Sequence, residues 1–170
     1  MAMILYAEVV NMPETGELAT IQIYHHHMSF WNVDVNDLYH LAIENSKNDY
    51  QFKSILSVLE DIMEDEDVAE YMERQSVGMY ILTNHAQLHG ASAILHFEVL
   101  EQFRKEHNAD NIAILPSSIH DVLLIPNVSI DDLVRFKTMV KEVNKTTLQP
   151  DEFLSNSVYV YDGDRITIWK

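Results

Sequence analysis

The segment ILPSSIHD, residues 114–121, carries hydroxyl, imidazole and carboxylate side chains close together. These are the side chains of a hydrolytic triad, which makes Ser117, Ser118 and His120 weak candidates for catalysis. Two observations favour a simple turn instead. Neighbouring residues of a strand point to opposite faces, which would separate His120 from Asp121, and the GxSxG turn of α/β-hydrolases is absent. Proline and serine are also typical of hairpin connections.

His85, His89 and His96 form a first group of histidines that could bind a metal ion. On a helix, residues four apart share a face, as the two zinc-binding histidines of metalloproteases do. The pattern is incomplete, because Ala86 stands where those enzymes have the general-base glutamate and Gly90 interrupts a helix directly after His89. We therefore expect ordinary turn and edge histidines here.

A second group of histidines, His25, His26 and His27, lies in the segment YHHHMSFW. In an extended segment His25 and His27 would point to one face, where two imidazoles can chelate a borderline metal. Carboxylates from an acidic region could complete such a site. His25 and His27 are therefore weak candidates for metal ligands, with a solvated strand end as the alternative.

Charge is the most unusual property of the chain, which has 27 aspartate and glutamate residues against 11 lysine and arginine residues, for a formal net charge of -16. This sign argues against nucleic acids and anionic membranes as partners, and favours a protein with a basic surface. The densest run lacks the central glycine of a calcium-binding EF-hand loop. We predict that this run contacts the partner, with a solvated acidic helix end as the alternative. Its eight carboxylates are Glu60, Asp61, Glu64, Asp65, Glu66, Asp67, Glu70 and Glu73.

Several classes of protein are disfavoured by composition. The chain has no cysteine, which excludes disulfides, thiolate metal sites and thiol nucleophiles. Neither a P-loop nor a dinucleotide fingerprint can be written with its 4 glycines. No apolar run is long enough to predict a membrane span, and the first residues lack the basic and cleavage regions of a signal peptide. We expect a cytoplasmic protein without a cofactor.

The elements that must position these side chains begin with four predicted hairpins. Each pairs two strand-like runs across a turn signal. In the last of them Asp162 and Gly163 are typical of a type I′ turn. The four pairs are residues 4–10 with 18–24, 78–84 with 91–97, 111–116 with 120–126, and the two halves of 157–169.

Four helices are predicted between the hairpins. The first follows Asp34 as N-cap, the second carries an apolar stripe over residues 52–63, and the third contains Val99, Leu100 and Phe103. The fourth begins at Ser129, with Asp132 at the capping-box spacing. Because hairpin strands are antiparallel, we predict an α+β fold in which about four helices pack on a mainly antiparallel sheet. The length predicts one domain over residues 1–170.

Three segments carry a resemblance to a known family, YILTN at 80–84, ILPSSIH at 114–120 and VNKTTLQPDEFLS at 143–155. Together with flanking runs they cover most of the chain, which resembles the C-terminal half of an uncharacterised bacterial family of unknown function. The resemblance implies a gut-bacterial protein often encoded on mobile elements, without an established reaction and here without the family's N-terminal half. It also implies that Ser117, Ser118 and His120 are the best candidates for a shared site.

The leading hypothesis is a non-enzymatic acidic protein of the cytoplasm that binds a basic protein surface. One form of it is a mobile-element-encoded inhibitor of a nucleic-acid-binding host or defence protein, since carboxylates can present phosphate-like charge. A metal-dependent or serine/histidine hydrolase is the second hypothesis. The third is a structural subunit of a larger assembly, which predicts an exposed apolar patch. The oligomeric state stays open.

Overall fold

The structure is a computed structural model that describes residues 4–12, 17–60 and 78–170. These residues divide into two compact units, unit 1 within Met1–Asn48 and unit 2 within Asp49–Lys170. Both helices and antiparallel sheets are present, so the predicted α+β class is confirmed. The single domain over residues 1–170 stays a prediction.

Unit 1 contains one two-stranded antiparallel ribbon and two helices. Its second helix begins where the sequence predicts, because the Asp34 carboxylate accepts hydrogen bonds from the backbone N–H groups of Asn36 at 2.7 Å and Asp37 at 2.9 Å. In chain order the elements are β1 (Tyr6–Met12), β2 (Glu17–Gln22), α1 (His25–Trp31) and α2 (Val35–Ser46).

Helix α1 corrects the prediction of an extended histidine run. The strand ends at Gln22, and the backbone N–H of Tyr24 donates to His27 Nδ1 at 3.2 Å, which caps the start of a helix. Residues two apart on a helix differ by about 200° around its axis. His25 and His27 therefore do not share a face, and the chelating geometry expected of an extended segment is not formed.

Unit 2 is built on a six-stranded sheet with the order β3-β4-β6-β5-β7-β8, in which every neighbouring pair is antiparallel. A short 3-10 helix, Gly90–Leu95, follows the second of these strands. The other elements are β3 (Gln51–Ser54), α3 (Ile55–Glu60), β4 (Tyr80–Thr83), α4 (Phe97–Glu106), β5 (Ile112–Pro116), β6 (Val122–Pro126), α5 (Ile130–Thr146), β7 (Tyr159–Tyr161) and β8 (Ile166–Ile168).

Three of the predicted hairpins form, and the second one was wrong. Residues 91–97, predicted as its second strand, form most of the 3-10 helix, the N-cap of α4 and the first residue of that helix, while β4 pairs with β3 and β6. The start of the second predicted helix was also wrong, because residues 51–54 supply β3 and the helix begins at Ile55. Sheet pairing has overridden the local apolar stripe there. Residues 61–63 of that predicted helix lie outside the described residues.

The final turn forms one residue later than predicted. Asp162 N–H donates to the Arg165 carbonyl at 3.3 Å, so Gly163 and Asp164 are the central residues of the turn. Only Gly163 has a positive φ, 95°, which is the pattern of a type II′ rather than a type I′ turn. The Asp162 carboxylate fixes this position by accepting from the backbone N–H of Asp164 at 3.0 Å and of Arg165 at 2.9 Å.

The core of unit 2 lies in two clusters that take alternate residues of the fully buried β5. Ile112 and Ile114 belong to the cluster that contains the buried side chains of α4, and Ala113 and Leu115 to the cluster that contains those of α5. Side chains of a strand alternate between the two faces of a sheet, so each face of the sheet carries one helix. This packing fixes the strand ends, and with them the loops that carry the histidines.

Candidate functional site

Two loops that carry the candidate residues lie at the same end of the six-stranded sheet. One follows β4 and spans residues 84–89, and the other connects β5 to β6 and spans residues 117–121. They meet because Leu82 and Pro116 are both paired with Val122 at the start of β6. We call this region the histidine end of the sheet.

Ser118 of the β5–β6 connection has hydrogen bonds typical of a turn residue. Ser118 Oγ accepts a hydrogen bond from the backbone N–H of His120 at 2.9 Å, and Ser118 N–H donates to the Asp121 carbonyl at 3.2 Å. Ser118 is only 7% exposed. This is the local side-chain to backbone bonding that favours serine in turns.

His120 is the centre of the hydrogen bonds that join the two loops. Thr83 Oγ1 donates to the His120 carbonyl at 2.8 Å, and the backbone N–H of His89 donates to His120 Nδ1 at 3.1 Å. Because a backbone N–H can only donate, Nδ1 must be unprotonated. The neutral His120 ring therefore carries its proton on Nε2.

This geometry does not assemble a nucleophile with a base. Within the described ranges, no hydrogen bond joins the His120 ring to a side chain of Ser117, Ser118 or Asp121. The Ser118 hydroxyl oxygen instead accepts a hydrogen bond from the backbone N–H of His120. A serine hydrolase needs the imidazole against the hydroxyl, so these residues are better explained by the connection between the loops.

Close backbone packing determines the shape of the loop after β4. A Cβ at Gly90 would contact Thr83 Oγ1 and Asn84 N and lie 2.8 Å from the His120 carbonyl oxygen. The preceding residue, His89, adopts a left-handed conformation with φ 57°. Such a conformation is costly for a residue with a side chain and persists where surrounding contacts enforce it.

The rings of His89 and His120 are stacked, with centroids 5.5 Å apart and planes inclined by 15°. Burial lowers the pKa of His89, and the neighbouring His120 ring lowers it further. Two imidazoles in this position are stable together when both are neutral.

The remaining histidines of this segment do not share a helix face. His85 lies in the loop, where Asp49 Oδ1 accepts from its backbone nitrogen at 3.0 Å and contacts its Nδ1 at 2.8 Å. His96 is 3% exposed and precedes α4, with Nδ1 3.9 Å from a Glu98 carboxylate oxygen. Nothing in the sequence indicates the Asp49 contact, because its partner lies 36 residues away.

Unit 1 presents a different kind of surface. Neither α1 nor α2 has a buried residue, and Phe30 of α1 is 87% exposed. Between these helices lies an open cleft of about 620 Å3, in which the Asp34 and Asp37 carboxylates cap α2. The lining residues are His25, Met28, Ser29, Asn32, Val33, Asp34, Val35 and Asp37. The other large exposed apolar residues of unit 1 are Ile4, Tyr6, Val9, Ile21, Tyr24, Trp31, Val35 and Leu41.

The predicted partner-binding run lies almost wholly outside the described residues. Glu60 is the last residue of α3, and the other seven carboxylates fall within residues 61–77, which the structure does not describe. Their role in binding stays a prediction. The seven are Asp61, Glu64, Asp65, Glu66, Asp67, Glu70 and Glu73.

Residues 4–12, 17–60 and 78–170 lack two features that would indicate a function. No group of three or more histidine, aspartate or glutamate side chains in these ranges is arranged to hold a metal ion. No helix in the same ranges has the length and apolar composition needed to cross a membrane.

Comparison with known proteins gives one match. A family model described as "Family of unknown function (DUF5688)" matches residues 1–163. No curated protein and no solved structure matches the chain. The expected resemblance to a family of unknown function is confirmed by this match, whereas correspondence to the C-terminal half of that family stays a prediction.

Proposed function

The chain belongs to the Family of unknown function (DUF5688), and we propose that it is a non-enzymatic protein that binds a basic protein surface. The observation that carries this proposal is the surface of unit 1. Phe30 is 87% exposed, Tyr24 and Trp31 are about half exposed, and neither helix of the unit has a buried residue. Exposed aromatic residues in a contiguous region are typical of protein contact surfaces.

The charge of this part of the sequence indicates the kind of partner. Residues 4–48 carry six carboxylates and one cationic side chain, Lys47. The negative charge would steer a basic protein into contact, and the aromatic rings would supply binding energy once water is excluded. The six carboxylates are Glu8, Glu14, Glu17, Asp34, Asp37 and Glu44.

Nucleic-acid-binding proteins are the partner class that this charge favours, because they present basic surfaces to phosphates. A net charge of -16 in 170 residues lets the chain compete for such a surface. The geometry at the histidine end supports a binding protein over a hydrolase, since Ser118 there bonds the backbone and not the His120 ring. In its most specific form, the proposal is that the chain is encoded on a mobile element and inhibits a nucleic-acid-binding host or defence protein.

The proposal is tested by capturing partners from a bacterial lysate on the immobilised full chain. Bound proteins are eluted in steps between about 50 and 200 mM salt, over which surface attraction weakens as the screening length falls. One variant, Phe30→Ser, removes the most exposed aromatic residue. A second neutralises Glu64, Asp65, Glu66 and Asp67 as glutamine or asparagine.

Each variant has a matched control in unit 2. Ile130 is 72% exposed on α5, so Ile130→Ser removes a comparable apolar side chain elsewhere. The second control replaces four exposed aspartates by asparagine and so changes the net charge by the same amount as neutralising the acidic run. These are Asp110, Asp131, Asp151 and Asp164. We expect one basic protein that is retained by the parent and both controls and lost by Phe30→Ser and by the neutralised acidic run. Binding that is insensitive to salt, or that both controls weaken equally, would contradict the proposal.

A further inference from the structure

At the histidine end of the sheet, an imidazole nitrogen of one loop accepts a hydrogen bond from the backbone of the other loop. His89 donates its backbone N–H to His120 Nδ1 at 3.1 Å, and the two rings are stacked. We propose that His89 and His120 form a proton-operated latch, closed when both rings are neutral and opened by protonation. This device is independent of partner binding through unit 1.

The closed state depends on the acceptor at His120 Nδ1. A protonated imidazole has a donor at both nitrogens. Protonation would therefore place an N–H of His120 against the N–H of His89, so the hydrogen bond would be replaced by repulsion between two donors. The Nε2 atom of the same ring already carries a proton in the closed state, so Nδ1 is the atom that must receive the additional one.

Stacking of the rings makes protonation cooperative with opening. Two positively charged imidazoles with centroids 5.5 Å apart repel each other in a partly buried position. The lowered pKa of His89 has burial as its main cause and His120 as the next one. Separation of the loops would restore water to both rings.

Backbone strain favours a local opening over a shift of the whole sheet. Gln87 and His89 have left-handed φ values of 54° and 57°, which persist where surrounding contacts enforce them. The bonds from Thr83 Oγ1 to the His120 carbonyl and from Ala91 N–H to the Ile119 carbonyl do not involve a titrating atom. They hold the β5–β6 connection in place, and the bonds between Asn84 and Leu88 hold the preceding turn, so that opening would separate His89 from His120 alone.

Four other titratable groups lie near the latch, namely three carboxylates and the imidazole of His85. Asp121 follows His120 in the chain, and Glu152 accepts the Ile119 N–H through its backbone carbonyl. Asp49 binds His85 in the loop after β4. None of the three carboxylates pairs with the His120 ring within the described residues. The direction of the change is therefore set by the acceptor at Nδ1 of His120.

The test uses amide hydrogen exchange and imidazole nitrogen shifts of the full chain at about pH 7.5 and about pH 5.0, which bracket the range where imidazoles titrate. We expect an unprotonated Nδ1 on His120 at the higher pH. At the lower pH we expect the protection factor of the His89 amide to fall roughly fivefold or more, the factor that one lost hydrogen bond represents. The Ile114 amide in buried β5 should keep its protection.

The matched variant is His120→Asn, because the amide oxygen of asparagine can take the position of Nδ1 as an acceptor that does not titrate. In this variant the His89 amide should keep its protection at both pH values. The latch is refuted by a protonated Nδ1 at the higher pH, or by an unchanged His89 protection factor in the parent. It is equally refuted if His120→Asn loses protection as the parent does, or if Ile114 loses protection together with His89.

Discussion

The Asp49 carboxylate binds both nitrogen donors of His85, with Oδ1 3.0 Å from the backbone nitrogen and 2.8 Å from Nδ1. Because a carboxylate oxygen accepts, the bond to Nδ1 requires a proton on that nitrogen. The His85 side chain is 66% and the Asp49 side chain 45% exposed, so water can replace either bond. This contact therefore positions the loop more than it stabilises the fold.

Substitution Asp49→Ala should change the His85 tautomer with little effect on stability. We expect the free energy of unfolding to fall by about 1 kcal/mol or less, because exposed ion pairs and hydrogen bonds contribute little. Imidazole nitrogen shifts would report the loss of the fixed Nδ1 proton, and urea unfolding would report stability. An unchanged tautomer would show that the loop orients His85 without the carboxylate.

Substitution Gly90→Ala should destabilise unit 2 by about 2 kcal/mol or more, since the new methyl group would meet two backbone atoms and the hydroxyl of the buried Thr83, which is itself bonded to the His120 carbonyl. Its neighbours would be Asn84 N, Thr83 Oγ1 and the His120 carbonyl oxygen at 2.8 Å. Gly78→Ala is the control, because the atoms that lie nearest to its Cβ among the described residues belong to the flexible Tyr80 side chain, the first at 3.1 Å. Equal losses in urea unfolding would mean that the close approach at Gly90 is absent in solution.

Substitution Ser118→Ala distinguishes a turn residue from a nucleophile. Removing Oγ leaves the His120 N–H without its acceptor next to a buried position, which should lower the free energy of unfolding by about 1–3 kcal/mol. Ser117→Ala is the matched control, with an expected change below about 0.5 kcal/mol. If Ser118→Ala left the free energy of unfolding unchanged, the hydroxyl would not be needed for the turn, and the hypothesis of a catalytic Ser118 would be favoured again.

Sequence patterns predicted the elements that local chemistry determines. The capping residues Asp34 and Ser129 start α2 and α5 as expected, because a cap depends on residues within one turn. The hairpin of β5 and β6 was predicted for the same reason, since its turn and both strands are contiguous. The α+β class follows from these elements and was also predicted.

Contacts across long distances in sequence could not be predicted. Residues 51–54 have an apolar pattern that fits a helix, yet pair with β4 as an edge strand. The contacts of His120 with Thr83 and His89 depend on β4 and β6 being neighbours, which no local pattern shows. Single residues of the candidate site were therefore identified, but their arrangement was not.

Acid should weaken the α4 ion pair in a defined pH range. The hydrogen bond from Arg104, with help from Lys105, lowers the pKa of Glu101 to about 2 from its ordinary 4.5. The folded state thus binds this proton less readily than the unfolded state, so the stabilisation is present above about pH 4.5 and is lost as the pH falls towards about 2.

The measurement is the difference in unfolding free energy between the parent and Glu101→Gln as a function of pH. We expect the parent to be the more stable protein at pH 7 and the difference to shrink between about pH 4.5 and 2. Glu98→Gln, at a 60% exposed position in the first turn of the same helix, is the control. A difference that stays constant down to pH 2 would mean that the pair does not form.

The stability of Phe30→Ser tests whether the unit 1 surface is available to a partner. Phe30 is 87% exposed, so its removal should change the free energy of unfolding by less than about 0.5 kcal/mol. Phe103→Ala, at a fully buried position of α4, should cost about 3–5 kcal/mol in the same urea titration. If Phe30→Ser were as costly as the core substitution, the ring would already be covered in the folded protein. It could then not also anchor a basic partner, and the proposed contact surface would have to be abandoned.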